Sequence, residues 1–399
     1  MLSIAKNYYG KILLVRADLN MPIKQPIISD TTRLERFLPS LKTWQAGSAS
    51  KIVVMSHLGR PNGKKNANDS LKPIAEKMAD ELKQQVVFLP DVVGDDIVKT
   101  IKHSTAKIFL GENLRFHAGE ETNDANFAKS LSDNGDIYIN DAFSISHRKH
   151  ASLCAITKFL PSFAGPSLMA EVTALEKIFV APKKPVMAIV GGAKISSKIA
   201  ILEFLLPRLD HLVIAGAMAN TFLKANNIAI GASLVEDSHI LTAQKIIQSA
   251  KTHHCHIHLP QDVVVADRLA SDAISKTKNL TTSIDHHEMI LDIGDATIAH
   301  ISNIIGNSKT ILWNGPLGAF ETTPFDKGTI AIAKKIASLT KQNKIISIAG
   351  GGDTAAALHH AKVANDFSYL STAGGAFLEW LEGKKLPAIV ALENNKEFF

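Results

Sequence analysis

SIAGGGDT, Ser347 to Thr354, is an apolar run that breaks into three glycines and an Asp-Thr pair directly ahead of the helix-like AAALHHAK. Strand, tight turn and helix start, in that order, aim bare backbone N–H groups and the positive end of a helix dipole at one spot, which makes an anion cradle. Asp353 adds a carboxylate beside that cradle, and carboxylate next to phosphate is a common way to hold Mg²⁺. These eight residues leave two readings open: a nucleotide–Mg²⁺ site, or a glycine turn whose aspartate only caps a helix. The rest of the chain has to separate them.

The surrounding second half repeats the pattern. PVMAIVGGAKISSK (185–198), HLVIAGAMANTF (211–222), HIHLPQDVVVAD (256–267), MILDIGD (289–295), KTILWNGPLGAFE (309–321) and FSYLSTAGGAF (367–377) are further apolar, β-rich runs, and most lead into glycine. Glycine-bearing strand ends at 191, 216, 315, 350 and 374 form a surface that a flat or polyanionic ligand approaches closely. The first half alternates in the same way. KILLVRADL (11–19), KIVVMSHLG (51–59), VVFLP (86–90), IFLGENLRF (108–116) and DIYINDAF (136–143) are separated by helical patterns near 31–46 and 70–84. Such alternation predicts an α/β fold with parallel sheets, in which ligands bind beyond the carboxyl ends of strands. Those ends carry Asp18 and Asn20, then His57 and Arg60, then Arg115, then His147, Arg148 and His150, while Arg33 opens the first helix.

Composition narrows the classes. The chain has 399 residues, 46% hydrophobic and 21% charged, enough for two cores. SLMAEVTALEKIFVAPKKP (167–185) reads as an interdomain helix stopped by prolines. Cys154 and Cys255 offer no disulfide framework or zinc knuckle, which together with the absence of a signal-peptide layout or long apolar run leads us to expect a soluble cytoplasmic protein. The net charge of +6 comes without a Lys/Arg block or interleaved aromatics, so neither membrane nor specific nucleic acid is expected as a partner. Only eight of the 44 basic residues are arginine, and six of them precede residue 150. The guanidinium fork grips carboxylates and phosphates bidentately, so a small acidic ligand is expected in the first half. P-loop, protein-kinase, dinucleotide-fingerprint, GxSxG and HExxH signatures are all absent from the sequence. The run HHCHIHLP places His254, His256 and His258 at alternate positions, on one face of a strand, where they could pick up a transition metal; the expectation is an exposed strand start with at most adventitious nickel or zinc affinity rather than a functional metal site.

Nine ordered stretches between residues 15 and 388 closely resemble the signature segments of the phosphoglycerate kinase family. They are VRADLNMP, SDTTR, SHLGRP, GENLRFH, NDAFSISHRKHAS, GGAKISSK, ILWNGPLGAFE, AGGGDT and STAGGAFLEWLEGKKLPA. The resemblance implies two doubly wound, Rossmann-like parallel-sheet domains joined by a hinge helix: 1–168 for phosphoglycerate, 169–184 as the connecting helix, and 185–383 for nucleotide, with 384–399 returning to the first domain. It implies reversible, Mg²⁺-dependent transfer of the acyl phosphate of 1,3-bisphosphoglycerate to ADP, giving 3-phosphoglycerate and ATP, by a monomer. Carried over by position, Asp18, Asn20, Arg33, His57, Arg60, Arg115 and Arg148 would hold the acid. Gly192, Lys198, Gly216, Asn314, Pro316, Glu321 and Gly350 to Thr354 (Gly351, Gly352 and Asp353 between) would hold the nucleotide, with Asp353 on the metal. Arg33, Lys194, Gly351 and Gly374 would stabilise the moving phosphoryl group.

Three places depart from the family pattern: Ala373-Gly374-Gly375 where three glycines are usual, Ser144-Ile145 where Gly-Thr is usual, and AGAM at 215–218 in place of a more glycine-rich turn. Ala373 and Ser144 support a competing expectation, a non-catalytic nucleotide or phospho-acid binding protein.

Overall fold

Continuous apolar runs become the strands of two parallel sheets, because a parallel strand covered by helices is buried on both faces. A computed structural model of the chain describes residues 2–395 other than 6, 25, 26, 181 and 283. It divides into two units: one runs to Val172 and takes back the stretch from Lys385, and the other is Thr173–Lys384. The division falls inside the helix Pro166–Phe179, which ends before the Lys-Lys-Pro stop at 183–185.

In the first unit β1 (Ile12–Arg16) is followed by a small antiparallel hairpin, β2 (Ile23–Lys24) and β3 (Ile27–Ile28), and then by β4 (Lys51–Met55), β5 (Val86–Leu89), β6 (Ile108–Gly111), β7 (Ile137–Asn140) and β8 (Ser162–Ala164). The main sheet runs β5-β6-β4-β1-β7-β8, with every pair parallel. Leu13, Val15, Ile52 and Val54 pack on Leu34, Leu41, Trp44, Ile74 and Met78 from the helices Thr32–Ala46 and Lys72–Leu82. The helix Asp95–His103 carries Asp95 and Asp96 in its first turn and Lys102 and His103 in its last, charges that match the helix dipole.

The second unit contains β9 (Val186–Val190), β10 (His211–Ile214), β11 (His256–His258), β12 (Asp262–Ala266), β13 (Lys276–Asn279), β14 (Met289–Ile293), β15 (Thr310–Asn314), β16 (Ile346–Gly350) and β17 (Tyr369–Ser371). Its main sheet is β11-β10-β9-β15-β16-β17, again parallel throughout. The runs 256–267 and 289–295 do not all join it. Pro260 removes a backbone donor just past β11, and β12 instead pairs antiparallel with β13 and β14 in a separate three-stranded sheet. His254 is likewise off the strand, in a left-handed turn residue with φ 56°, so only His256 and His258 share a face of β11.

The helix Pro387–Glu393 packs Ala388 on Ala142, Ile145 and Leu153 of the first unit. Asn395 then anchors the returning chain: its Oδ1 accepts from the Ser162 N–H at 2.9 Å, and its Nδ2 donates to the carbonyls of Thr157 and Leu160. Residues 396–399 of the stretch expected to return lie outside the described residues. Asn395→Ala strands buried backbone groups on β8 and before it, a loss worth about 1–3 kcal/mol. Urea denaturation is expected to read that loss, and an unchanged midpoint would remove the anchoring role.

Candidate functional site

Numbered in chain order, the main-sheet strands of the second unit lie in the order 3-2-1-4-5-6. β9 and β15 are therefore neighbours whose onward connections leave in opposite directions, and the crevice past their carboxyl ends is where such sheets take ligands. The two strand ends touch through glycine. The Gly191 N–H donates to the Asn314 carbonyl at 2.9 Å. A Cβ on Gly191 would lie 2.0 Å from the Pro316 carbonyl oxygen, and one on Gly315 2.2 Å from that of Gly191.

Two adjoining cavities open there. The larger, about 500 Å³, is lined by Gly192, Gly216, Pro316, Glu321 and Asp353, with apolar walls from Leu234, Leu269, Met289, Leu291 and Leu317. The smaller, about 300 Å³, is lined by Lys194, Lys198, Asn314, Gly351, Gly352, Asp353 and Thr354. Gly192, Ala193 and Asp353 belong to both. A slot with apolar walls suits a flat base. The second chamber suits phosphate, because the first-turn N–H groups of helix Gly352–His360 have no intrahelical acceptor and two ammonium groups line it. Gly351, at φ 101°, makes the turn that aims those N–H groups.

Side-chain hydrogen bonds brace this floor. Lys198 Nζ donates to Asn314 Oδ1, Asn314 Nδ2 donates to the Gly350 carbonyl at 2.7 Å, and the Gly315 N–H donates to Thr354 Oγ1 at 2.7 Å. Burial pushes the Lys198 ammonium pKa down, against the pull of Asp353 and Glu382. Gly350 and Gly374 do not line either cavity. Gly350 ends β16, and Gly374, at φ 52°, precedes the helix Gly375–Leu381, whose Leu378 reaches the smaller chamber. The Ala373 N–H is engaged by Ser371 Oγ at 3.2 Å, so the methyl that departs from the family pattern sits on an amide already in use.

In the first unit the strand ends of β1, β4, β6 and β7 gather cationic and amide groups. Arg33 Nη1 spans both Asp18 carboxylate oxygens at 2.7 and 2.8 Å, and the Ser144 hydroxyl donates to the same carboxylate. Asn20 Oδ1 accepts from the Gly59 N–H at 3.0 Å, and Arg115 Nη1 donates to the Gly59 carbonyl at 2.7 Å. Exposed Arg60 follows that glycine directly, and Arg148 is exposed beyond β7. Arg16 Nη2 lies 3.2 Å from His57 Nδ1. Arginine only donates, so Nδ1 accepts and His57 carries its proton on Nε2.

The charges here act on one another. Burial and the Arg16 charge push His57 well below its ordinary value, with Arg115 and Arg33 adding to the effect. Burial, Arg16, Arg115 and Arg148 take His150 down to about 3. Burial raises the Asp18 carboxyl, but its neighbours His57 and Arg33, the Ser144 hydroxyl and the Asn20 N–H outweigh it and hold the carboxyl below its usual range. Guanidinium groups crowded at one set of strand ends form a site built for an anion.

A family model described as Phosphoglycerate kinase matches residues 4–384. The chain belongs to the phosphoglycerate kinase family. Phosphoglycerate kinase of Bartonella tribocorum is 49% identical over 384 residues, 96% of each chain, and that of Methylorubrum extorquens is 48% identical over the same share. The solved structure of phosphoglycerate kinase from Coxiella burnetii matches with a TM-score of 0.90 at 39% identity, covering 98% of each chain. Membership makes the chain a phosphotransferase of glycolysis whose substrates are a phosphoglycerate and an adenine nucleotide.

Some residues of this phosphoglycerate kinase fold escape a reading by motif. Leu234, Leu269 and Met289 come to the larger cavity from loops and the antiparallel sheet, and nothing in an isolated leucine or methionine signals that role. Arg16 and Glu120 are both buried, 4.0 Å apart, with Glu120 also accepting from the Ser152 N–H and hydroxyl. A charged residue inside the apolar run ILLVR was the available signal.

His150 yields a pH prediction. Its folded value of about 3 lies below the ordinary 6.5, so the unfolded chain binds the extra proton between those values. The stability owed to neutral His150 is present above about pH 6.5 and lost as pH falls toward 3. Urea unfolding at pH 7, 5 and 4 is expected to show His150→Gln losing less stability on acidification than wild type; parallel losses would contradict the assignment.

Proposed function

We propose a division of labour for the family's reaction, the reversible transfer of the acyl phosphate of 1,3-bisphosphoglycerate to ADP, giving 3-phosphoglycerate and ATP. The observation that carries it is the continuous crevice at β9 and β15, apolar at one end and lined by ammonium and N–H donors at the other. The base and ribose occupy the larger chamber, with Glu321 beside the ribose and Gly192, Gly216 and Pro316 against the base and sugar. The phosphates occupy the smaller one, held by Lys198, Asn314 and the turn Gly350 to Thr354. The acid is held by Asp18, Asn20, Arg33, His57, Arg60, Arg115 and Arg148, whose guanidinium groups match carboxylate and phosphate geometry, with His57 offering its Nε2–H.

Asp353 is an exposed carboxylate lining both chambers, a hard oxygen donor of the kind that holds Mg²⁺ together with phosphate oxygens. Bound with the nucleotide, Mg²⁺ neutralises charge on the phosphates. In the direction of ATP use the attacking group is the carboxylate of 3-phosphoglycerate, ionised at pH 7 because carboxyl pKa values lie near ~4, so no general base is required. Transfer is direct and in line. Its demand is charge stabilisation of the moving phosphoryl group, which we assign to Arg33, Lys194 and the backbone N–H groups at Gly351 and Gly374.

The proposal gives residues 1–168 the acid and 185–383 the nucleotide. Because the two ligands must meet, it includes hinge motion in 169–184, which also keeps water from the acyl phosphate. It also places the enzyme as a monomer in the cytoplasm, where a glycolytic reaction finds its substrates.

A coupled assay with 3-phosphoglycerate, ATP and Mg²⁺, following 1,3-bisphosphoglycerate through a dehydrogenase, tests the assignment. Wild-type turnover is expected to be lost in Arg33→Ala and Asp353→Ala. Lys194→Ala is expected to lower kcat by about 10²–10³-fold, the scale for removing one preorganised donor, with nucleotide affinity little changed. A wild-type kcat in that variant removes Lys194 from the phosphoryl group, and ligand binding without turnover by wild type overturns the catalytic reading.

A further inference from the structure

At the paired strands β10 and β11, four histidines from three elements converge. His211 opens β10, His256 and His258 share a face of β11, and His300 reaches in from the helix Asp295–Asn307. His211 Nδ1 lies 3.2 Å from His258 Nε2, and His258 Nδ1 lies 3.1 Å from His300 Nε2. His256, the register partner of His211, stacks on it with ring centroids 5.6 Å apart. Nothing in the phosphotransfer reaction uses this cluster.

Both nitrogens of His258 face another imidazole, and a neutral ring has one N–H and one lone pair. If its proton sits on Nδ1, it donates to His300 Nε2. His258 Nε2 then presents a lone pair toward His211 Nδ1, whose N–H donates to it in the metal-free protein; on metal binding that proton leaves Nδ1 and His211 carries its proton on Nε2 instead. Two imidazole nitrogens on one tetrahedral ion at 2.0–2.1 Å lie about 3.4 Å apart, close to the 3.2 Å seen here. The hydrogen bond to His300 is the outer partner that metal-bound histidines use to fix tautomer and ring orientation.

We propose that His211 Nδ1 and His258 Nε2 chelate a late first-row transition-metal dication, Zn²⁺ or Ni²⁺, with His300 as the outer hydrogen-bond partner of His258. Water completes the shell. Imidazole nitrogens select such ions over Mg²⁺, which takes oxygen donors, so the site is distinct from the nucleotide's metal. Asp285, His287 and Glu288, whose ligand atoms all lie within 4.8 Å of one another, are a weaker claimant. Glu288 there is already held at 2.6 Å by each of Lys276 and Lys278.

The test titrates chelator-treated full-length protein with ZnCl₂, without nucleotide, by calorimetry. One saturable site per chain is expected, unaffected by excess Mg²⁺, and weakened about tenfold or more in His211→Gln and His258→Gln. His300→Gln is expected to weaken it about 10–100-fold, the scale for losing an outer-shell partner, while His287→Gln binds as wild type. Turnover without zinc should match wild type in all four variants, which reports that they fold. In the wild-type protein, zinc should move the ¹⁵N resonances of the His211 and His258 rings together. Absence of saturable binding, unchanged affinity in His258→Gln, loss in His287→Gln, or resonance changes confined to other histidines would each overturn the site.

Discussion

The second unit depends on two strand ends that are allowed to touch. β9 and β15 lie side by side at the point where the winding of the sheet reverses, and their backbones meet across Gly191 and Gly315 at distances no side chain would permit. That contact sets the floor of both chambers: Asn314 is fixed to Gly350, Thr354 to Gly315, and Lys198 to Asn314. A methyl group at either glycine would push the strand ends apart and carry Asn314 and Thr354 with them.

The strand ends of the first unit are organised by charge rather than by close approach. Arg16 is buried in the central strand, kept there by Glu120 and by Ser152, and it holds His57 in the tautomer whose Nε2 donates. Burial depresses His57 and His150, and the surrounding guanidinium groups add to it because each makes another positive charge less favourable. An acidic ligand placed there would relieve that repulsion. Ser144, a departure from the usual family residue, fits into this scheme by donating to Asp18 alongside Arg33.

The two halves suit a reaction in which little covalent chemistry is asked of the protein. The attacking carboxylate is already ionised, and what remains is positioning and charge. On the assignment proposed above, glycine turns, a helix N-terminus, lysines and arginines supply both, and these residue types leave strong marks in a sequence.

Much of this was therefore legible from residues alone. Apolar runs ending in glycine announced parallel strands, AGGGDT announced a strand, a tight turn and a helix start in that order, and the arginines before residue 150 include those gathered at the strand ends of the first unit. Local sequence carries these because turn chemistry and backbone freedom are set within a few residues. Other features were decided only by the tertiary structure. The departure of β12 and β14 into an antiparallel sheet, the apolar wall of Leu234, Leu269 and Met289, and the engagement of the Ala373 amide by Ser371 depend on which distant segments meet. So does the meeting of His211 and His258 with His300: the alternation at 256–258 was visible, but its partners lie more than forty residues away in either direction. Pairing across such separations is selected by the burial and hydrogen bonding of the whole sheet, which no single stretch encodes.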